Sequence, residues 1–379
     1  MSGAQTMYTP SRPLPPARTG TLTGFAPGTR TLEAGFQIAP QFRALPVDVV
    51  LDKDVAVQLR DGVTIYVDVF RPAGSEQVPV IVAWSPYGKG QGTSASVMGV
   101  FGLVGLSNQT VSGLEKFEAP DPAYWCAQAY AVCNPDVRGV VDSEGDSVLW
   151  DRQEGRDCYD LIEWLAGRQW CTGKVGMSGT SYLAVSQWFT AAEQPPHLVA
   201  INPWEGVSDV YRDLVMRGGM PDTGFAQQLQ EGSFFGNNQK EDILSEVERY
   251  PLMTELWENK IPDFDKITVP AYIVASYSNT LHTAGTFRAW RRVASEEKGC
   301  ASTTARSGPT TTTKRTWRTC AASSTITSRA RTTDGRPRPA SATRSSTWRA
   351  ATRSASLRTR SLRQTSPRRG STSTPVRAP

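Results

Sequence analysis

Apolar and polar positions along this chain follow two periods, and the places where they change mark the expected elements. Val55–Leu59 and Val63–Phe70 are strand-like runs around Asp61 and Gly62, which predicts an antiparallel hairpin. Val78–Trp84 is a continuous apolar run, as expected of a strand buried on both faces. Asp121–Ala129 reads as a helix and Tyr130–Cys133 as a second buried strand. Between Glu154 and Gly167, the residues Cys158, Leu161, Ile162 and Leu165 share one face at helical spacing. Lys174–Met177 follows as a strand, then a tight turn at Gly179–Ser181, then a helix through Trp188. Leu198–Ile201 is one more strand. Strands alternating with helices predict an α/β fold: a mostly parallel sheet covered by helices on both faces.

The rhythm breaks at Ser208 into polar, aromatic-rich sequence of helical character and resumes at Val269–Ala275. Residues 208–266 therefore read as an inserted helical cap. They separate a first part of the core, 46–207, from its continuation, 267–298. Residues 1–45 are rich in Pro, Gly and Thr without apolar periodicity and read as a flexible arm. There is no convincing internal repeat.

Composition narrows the class. The chain has 379 residues, 39% hydrophobic and 20% charged, enough to bury a large core. No run approaches the roughly 18–20 apolar residues of a membrane span, and no basic segment followed by an apolar run opens the chain. Six cysteines at 126, 133, 158, 171, 300 and 320 form neither a dense disulfide framework nor paired zinc half-sites. Two histidines, His197 and His282, argue against a histidine-rich metal centre. The expectation is a soluble cytoplasmic protein with no metal or organic cofactor and no membrane partner.

The net charge of +5 hides two compositions. From Gly299 onward there are 16 Arg and 1 Lys against the single acid Asp334, and 33 of 81 residues are Ser or Thr. The preceding residues are net acidic. Two chemistries meet at Lys298 and Gly299, and residues 299–379 read as a disordered basic tail.

Chemistry concentrates at Gly179–Ala184 (Gly-Thr-Ser-Tyr-Leu-Ala), between a predicted strand and a predicted helix. A nucleophile elbow needs this context: a sharp turn lifts the serine hydroxyl above the sheet edge, and the helix N-terminus favours developing negative charge. Gly179 leaves room for the strained turn, and Leu183 stands where G-x-S-x-G has its second glycine. Ser178 lies too early relative to the strand end. The plain alternative is an ordinary serine in a strand-to-helix loop.

The segment Trp170–Trp188 resembles the elbow of the cocaine esterase and Xaa-Pro dipeptidyl-peptidase family of α/β-hydrolases, written G-x-S-Y-x-G. Ala184 replaces its last glycine. Asp136–Gly139 with Ser143–Gly145 matches the family's D-x-R-G and S-x-G segment, and Ser85–Tyr87 resembles its oxyanion segment. The likeness covers roughly residues 48–298. It implies an α/β-hydrolase fold and a serine hydrolase acting on a small-molecule ester or amide through an acyl-enzyme. Ser181 would be the nucleophile, with the Tyr87 hydroxyl and the Tyr182 backbone N–H as the oxyanion hole. Asp136 and Arg138 are expected to form a structural ion pair with each other.

The partners of Ser181 depart from the pattern. The family carries its triad acid in a W-Y-D-G-like segment; here Ser276–Asn279 stands there, with Ser278 at the acid position. His282, four residues beyond Ser278, is the candidate base, with a structural or pocket role as the favoured reading; His197 reads as a loop histidine. The runner-up is therefore an impaired, truncated relative with no working triad.

The family's base and a C-terminal jelly-roll domain would follow, and the tail shows neither. Its Arg, Ser, Thr, Ala and Pro content is what a GC-rich gene gives in a wrong frame. A one-base shift near codon 299 permits a strand-like segment with a histidine and then an amphipathic helix, so a frameshift is expected there. A genuine basic arm binding nucleic acid is the minor alternative. Lacking RGG repeats and interleaved aromatics, the tail does not favour that reading.

Overall fold

The computed structural model describes residues 4–74, 76–103 and 107–303. Nine strands form one sheet: β1 (Gly28–Leu32), β2 (Val49–Gln58), β3 (Thr64–Pro72), β4 (Val78–Val82), β5 (Ala131–Asp136), β6 (Cys171–Thr180), β7 (Leu198–Trp204), β8 (Ala271–Ser276) and β9 (Lys298–Thr303). Across the sheet they lie in the order β9-β8-β7-β6-β4-β5-β3-β2-β1. Pairing is parallel from β9 through β5. It is antiparallel from β5 through β3 and β2 to β1. The helices are α1 (Ala95–Leu103), α2 (Pro122–Cys126), α3 (Arg152–Ala166), α4 (Tyr182–Ala192), α5 (Thr223–Ser233), α6 (Ile243–Arg249), α7 (Glu255–Glu258) and α8 (Thr283–Arg292).

The expected hairpin is β2 and β3, with Val57 opposite Ile65 and Gly62 at φ 89° in the turn. The continuous apolar runs are strands covered on both faces, as alternate residues of β4 and β5 show. Val80, Val82, Ala131 and Cys133 pack with Cys158 and Leu161 of α3 and Tyr182 of α4. Ile81 and Val132 point the other way, against Trp125 and Tyr130. This α/β-hydrolase arrangement buries apolar area on both sides of the central strands, each fully buried large side chain contributing about 1.5–3 kcal/mol. The helix expected over Asp121–Ala129 is the shorter α2, capped by the Asp121 carboxylate. The α3 helix starts at Asp151, whose carboxylate accepts the backbone N–H groups of Gln153 and Glu154, satisfying donors the helix leaves unpaired.

Residues 4–45, read from sequence as an arm, contribute β1 to the sheet edge and bury Leu22, Leu32, Phe42 and Leu45. Tyr8–Pro10 pairs antiparallel with Gln239–Glu241, within the segment expected as the cap. Backbone pairing of this kind needs no apolar period, which is why the pattern did not reveal it. The 208–266 segment carries α5, α6 and α7, as its helical character suggested.

The compositional boundary at Lys298 and Gly299 falls inside β9, which pairs in parallel with β8 from Ala271↔Lys298 to Ser276↔Thr303. Tail-like composition therefore begins within an edge strand rather than after the last element. The rest of the tail lies outside the described residues, and with it the frame-shift, jelly-roll and nucleic-acid readings. Among the described residues no helix is long and apolar enough to cross a membrane.

Candidate active site

Strand order reverses beside β4, which has β5 on one side and β6 on the other. In open α/β sheets the crevice beyond the carboxyl ends of the strands at such a point is where ligands bind. Four neighbouring strands deliver side chains there. β4 leads to Tyr87, β6 to Ser181, β7 to Glu205, and β8 to Asn279 and His282.

Ser181 joins β6 to α4 with φ 59° and ψ −113°, a conformation that costs a non-glycine residue about 1–3 kcal/mol. The surroundings hold it there. Its N–H donates to the Trp204 carbonyl at 2.9 Å, and the Thr180 N–H donates to the Glu118 carbonyl at 3.2 Å. Gly179 has φ 153°, and a Cβ at that position would lie 2.5 Å from both Cβ and Cδ2 of Leu183. Leu183, which departs from the G-x-S-x-G pattern, is thus accommodated by the glycine before the serine. Ala184, the other departure, faces Gly206, where a Cβ would lie 3.1 Å from the Ala184 methyl.

The Ser181 Oγ lies 3.2 Å from His282 Nε2. The imidazole thus stands at the candidate base position, and it also lines the cavity over the elbow, as the pocket reading of His282 expected. A bend after β8 and the start of α8 bring the imidazole back over the elbow from 101 residues away. Burial pushes its pKa down to about 4, against a smaller upward pull from Asp213, so the ring is neutral at pH 7.

On the other side of the ring, His282 Nδ1 lies 2.9 Å from Asn279 Nδ2, and the same amide nitrogen donates to Glu205 Oε2 at 2.7 Å. Asn279, rather than Ser278, thus reaches the imidazole; the Ser278 Oγ lies 3.1 Å from the Ser276 Oγ. Sequence reasoning missed Asn279 and Glu205. The available signal was an acid directly after the apolar strand β7, at Trp204–Gly206.

Tyr87 is buried, and its hydroxyl faces the side chains of Ser181 and Glu118. Burial, then the Glu118 charge, raises its pKa well above 10, which keeps the O–H available as a donor. Glu118 is itself pushed upward by burial and then by the charge of Glu205. Tyr182 is the first residue of α4, where a backbone N–H has no intrahelical acceptor. The Tyr182 hydroxyl donates to Glu154 Oε2 at 3.1 Å beneath the elbow, and Trp84 Nε1 donates to Glu154 Oε1 at 2.9 Å. Burial, then Asp151, lifts the Glu154 pKa to about 8.

Asp136 and Arg138 do not pair with each other as expected. Asp136 Oδ2 binds Lys89 Nζ at 2.7 Å, while Arg138 binds Asp157 at 2.6 Å and Asp61 at 2.8 Å. Asp136 is the last residue of β5 and Arg138 lies in the turn beyond it, where the chain has left the strand, so the two side chains meet different neighbours. Ser178 donates to Asn202 Oδ1 at 3.1 Å, and His197 Nδ1 lies 2.7 Å from Glu163 Oε2; neither lines the site.

A cavity of about 440 Å³ opens over Ser181 and His282. Val97, Val100, Phe117, Phe225 and Leu229 give it apolar walls, and Arg18 and Glu118 add one charge-bearing group of each kind. Arg18 comes from the N-terminal segment, held by donation to the Gly232 carbonyl in the inserted region. Among the described residues no three His, Cys, Asp or Glu side chains are placed to hold a metal ion.

Residues 61–311 match the family model of X-Pro dipeptidyl-peptidase (S15 family). Cocaine esterase of Rhodococcus sp. (strain MB1 Bresler) is 35% identical over 159 residues, 42% of this chain and 24% of that protein. A putative serine esterase of Mycobacterium tuberculosis is 29% identical over 168 residues, 43% of this chain and 26% of that protein. The solved CocE/NonD family hydrolase of Staphylococcus aureus superposes with a TM-score of 0.69 at 30% identity, over 79% of this chain and 53% of that one. The chain thus matches about a quarter of the length of these curated relatives. With a match that begins in the β2–β3 turn and runs past β9, on a fold shared with a CocE/NonD hydrolase, this chain belongs to the X-Pro dipeptidyl-peptidase (S15) family.

Proposed function

We propose that this chain is a serine hydrolase acting on a small ester or amide through an acyl-enzyme, with Ser181 as nucleophile. The observation that carries this reading is the Ser181 hydroxyl on a positive-φ elbow, 3.2 Å from a buried neutral imidazole nitrogen. Ser181 Oγ attacks the substrate carbonyl carbon while its proton passes to His282 Nε2. The tetrahedral oxyanion is held by the Tyr87 hydroxyl and the Tyr182 N–H. Collapse expels the alcohol or amine, protonated by the imidazole, and water then releases the acid by the reverse sequence. The apolar walls suit a compact acyl or alcohol group.

Fluorophosphonate labelling tests this: the probe is expected to modify Ser181, and Ser181→Ala to remove the label. Label carried equally by Ser181→Ala would refute the assignment. Tyr87→Phe is expected to slow phosphonylation about 10²–10³-fold with the melting temperature little changed, since one oxyanion donor is lost. A rate within threefold of the parent would remove Tyr87 from the oxyanion hole. The runner-up, a pocket without a working triad, draws on one contact, Asn279 in place of an acid at the imidazole.

A further inference from the structure

The orientation of the Asn279 amide decides where the imidazole proton sits. Its Oδ1 accepts two backbone N–H groups, from Leu281 at 2.9 Å and from His282 at 3.1 Å. Its Nδ2 carries two protons and faces Glu205 Oε2 at 2.7 Å and His282 Nδ1 at 2.9 Å. Rotating the amide by half a turn would set its NH₂ against two N–H donors and its carbonyl against the Glu205 carboxylate. The amide is therefore locked as a donor to Nδ1, and a nitrogen that accepts a hydrogen bond in the ring plane carries no proton.

We infer that Asn279, anchored by Glu205, is a positioning residue that holds His282 as its Nε2–H tautomer, with the ring proton directed at Ser181 Oγ, so that the resting site is a throttled triad. This rests on the serine-hydrolase reading. A neutral imidazole has one proton, and burial keeps this ring neutral. In the Nε2–H form the nitrogen beside Ser181 has no lone pair to take the serine proton, so attack must wait for the minor Nδ1–H form. An amide in place of the triad carboxylate of a serine protease costs about 10⁴ in kcat for this reason.

A carboxylate at position 279 would accept from Nδ1–H and turn the ring over. It would also face the Glu205 carboxylate, and two acids so close share a proton. Asn279→Asp combined with Glu205→Gln avoids this: the introduced glutamine amide donates to one oxygen of the introduced carboxylate, whose other oxygen keeps the two backbone N–H groups.

The test has two parts, both on the full chain. Imidazole ¹⁵N NMR of the unmodified protein reads the tautomer directly, and with only two histidines the His197→Gln variant assigns the signals. The expected result is a protonated Nε2 and a bare Nδ1 on His282. A protonated Nδ1 in the unmodified protein overturns the inference without any variant having to fold. In Asn279→Asp/Glu205→Gln the two nitrogens are expected to exchange character, and phosphonylation of Ser181 to accelerate by about 10²-fold or more. In that reaction the Oγ–P bond forms, the P–F bond breaks, fluoride leaves and the serine proton goes to Nε2. Exchange of tautomer with no gain in Ser181 labelling overturns the throttle and leaves the nucleophile standing. Label that survives Ser181→Ala in both proteins overturns the serine-hydrolase reading itself.

Discussion

Lys89→Met is expected to destabilise the protein by about 3–5 kcal/mol at neutral pH, the range for removing one partner of a buried ion pair. Lys89 is buried two residues after Tyr87, with its ammonium 2.7 Å from both Asp54 Oδ1 and Asp136 Oδ2. Its own N–H donates to Asp136 Oδ1 at 2.8 Å, which ties the oxyanion segment to the end of β5. Asp68 lies close enough for its charge to be felt. Methionine would fill the space and leave the Asp136 carboxylate without its ammonium and Asp68 without that nearby charge, while Asp54 keeps its ion pair with Lys53.

The loss should depend on pH, in a definite direction. Burial already raises the Asp68 pKa to about 6, with Lys89 pulling it down. Removing Lys89 moves it further up. An acid whose folded pKa exceeds its unfolded value holds extra protons in the folded state, so stability falls as pH rises from about 4 through the folded pKa. Urea midpoints of Lys89→Met should therefore lie closer to the parent at pH 5 than at pH 8. A loss below 1 kcal/mol at pH 7.5, or a gap that widens on acidification, would count against the cluster as described.

Gly179→Ala is the second change with a large expected effect, about 3 kcal/mol or more. The added Cβ meets Leu183 Cβ and Cδ2 at 2.5 Å, and the φ of 153° is one that side-chain-bearing residues rarely adopt. Leu183 cannot yield alone, because it sits buried in the first turn of α4 between the elbow and the core. Relief requires α4 to shift, which carries Ser181 away from His282. A double-mutant cycle separates the two costs. In a Leu183→Gly background the alanine should cost at least about 1 kcal/mol less, because the contact is gone while the backbone strain remains. Strict additivity would show that the clash is not what Gly179 avoids.

What could be read directly in the chain was local. The short apolar runs at Val78–Trp84, Tyr130–Cys133 and Leu198–Ile201 read as strands, and a strand stands at each. The turn at Gly179–Ser181 between a strand and a helix announced the elbow, since a serine there must take a positive φ. The edges were not legible. Residues 4–45 and β9 are held through backbone pairing, which leaves no period in the side chains.

The site beyond Ser181 belongs to the tertiary structure. Asn279 reaches His282 from three residues before it, yet a segment without regular structure gave no way to tell it from Ser278 as the partner. Glu205 lies 74 residues from Asn279 in the chain and Lys89 lies 47 from Asp136. Spacing along a sequence constrains contacts within one helix or one turn. Which strand ends meet is decided by sheet order, and here β4, β6, β7 and β8 bring their carboxyl ends side by side. The sequence by itself determined the central strands, the helices α3 and α4 and the serine at the turn. Only the packing of those strand ends decided which acid, amide and imidazole stand around it, because that choice depends on long-range burial rather than on any local pattern.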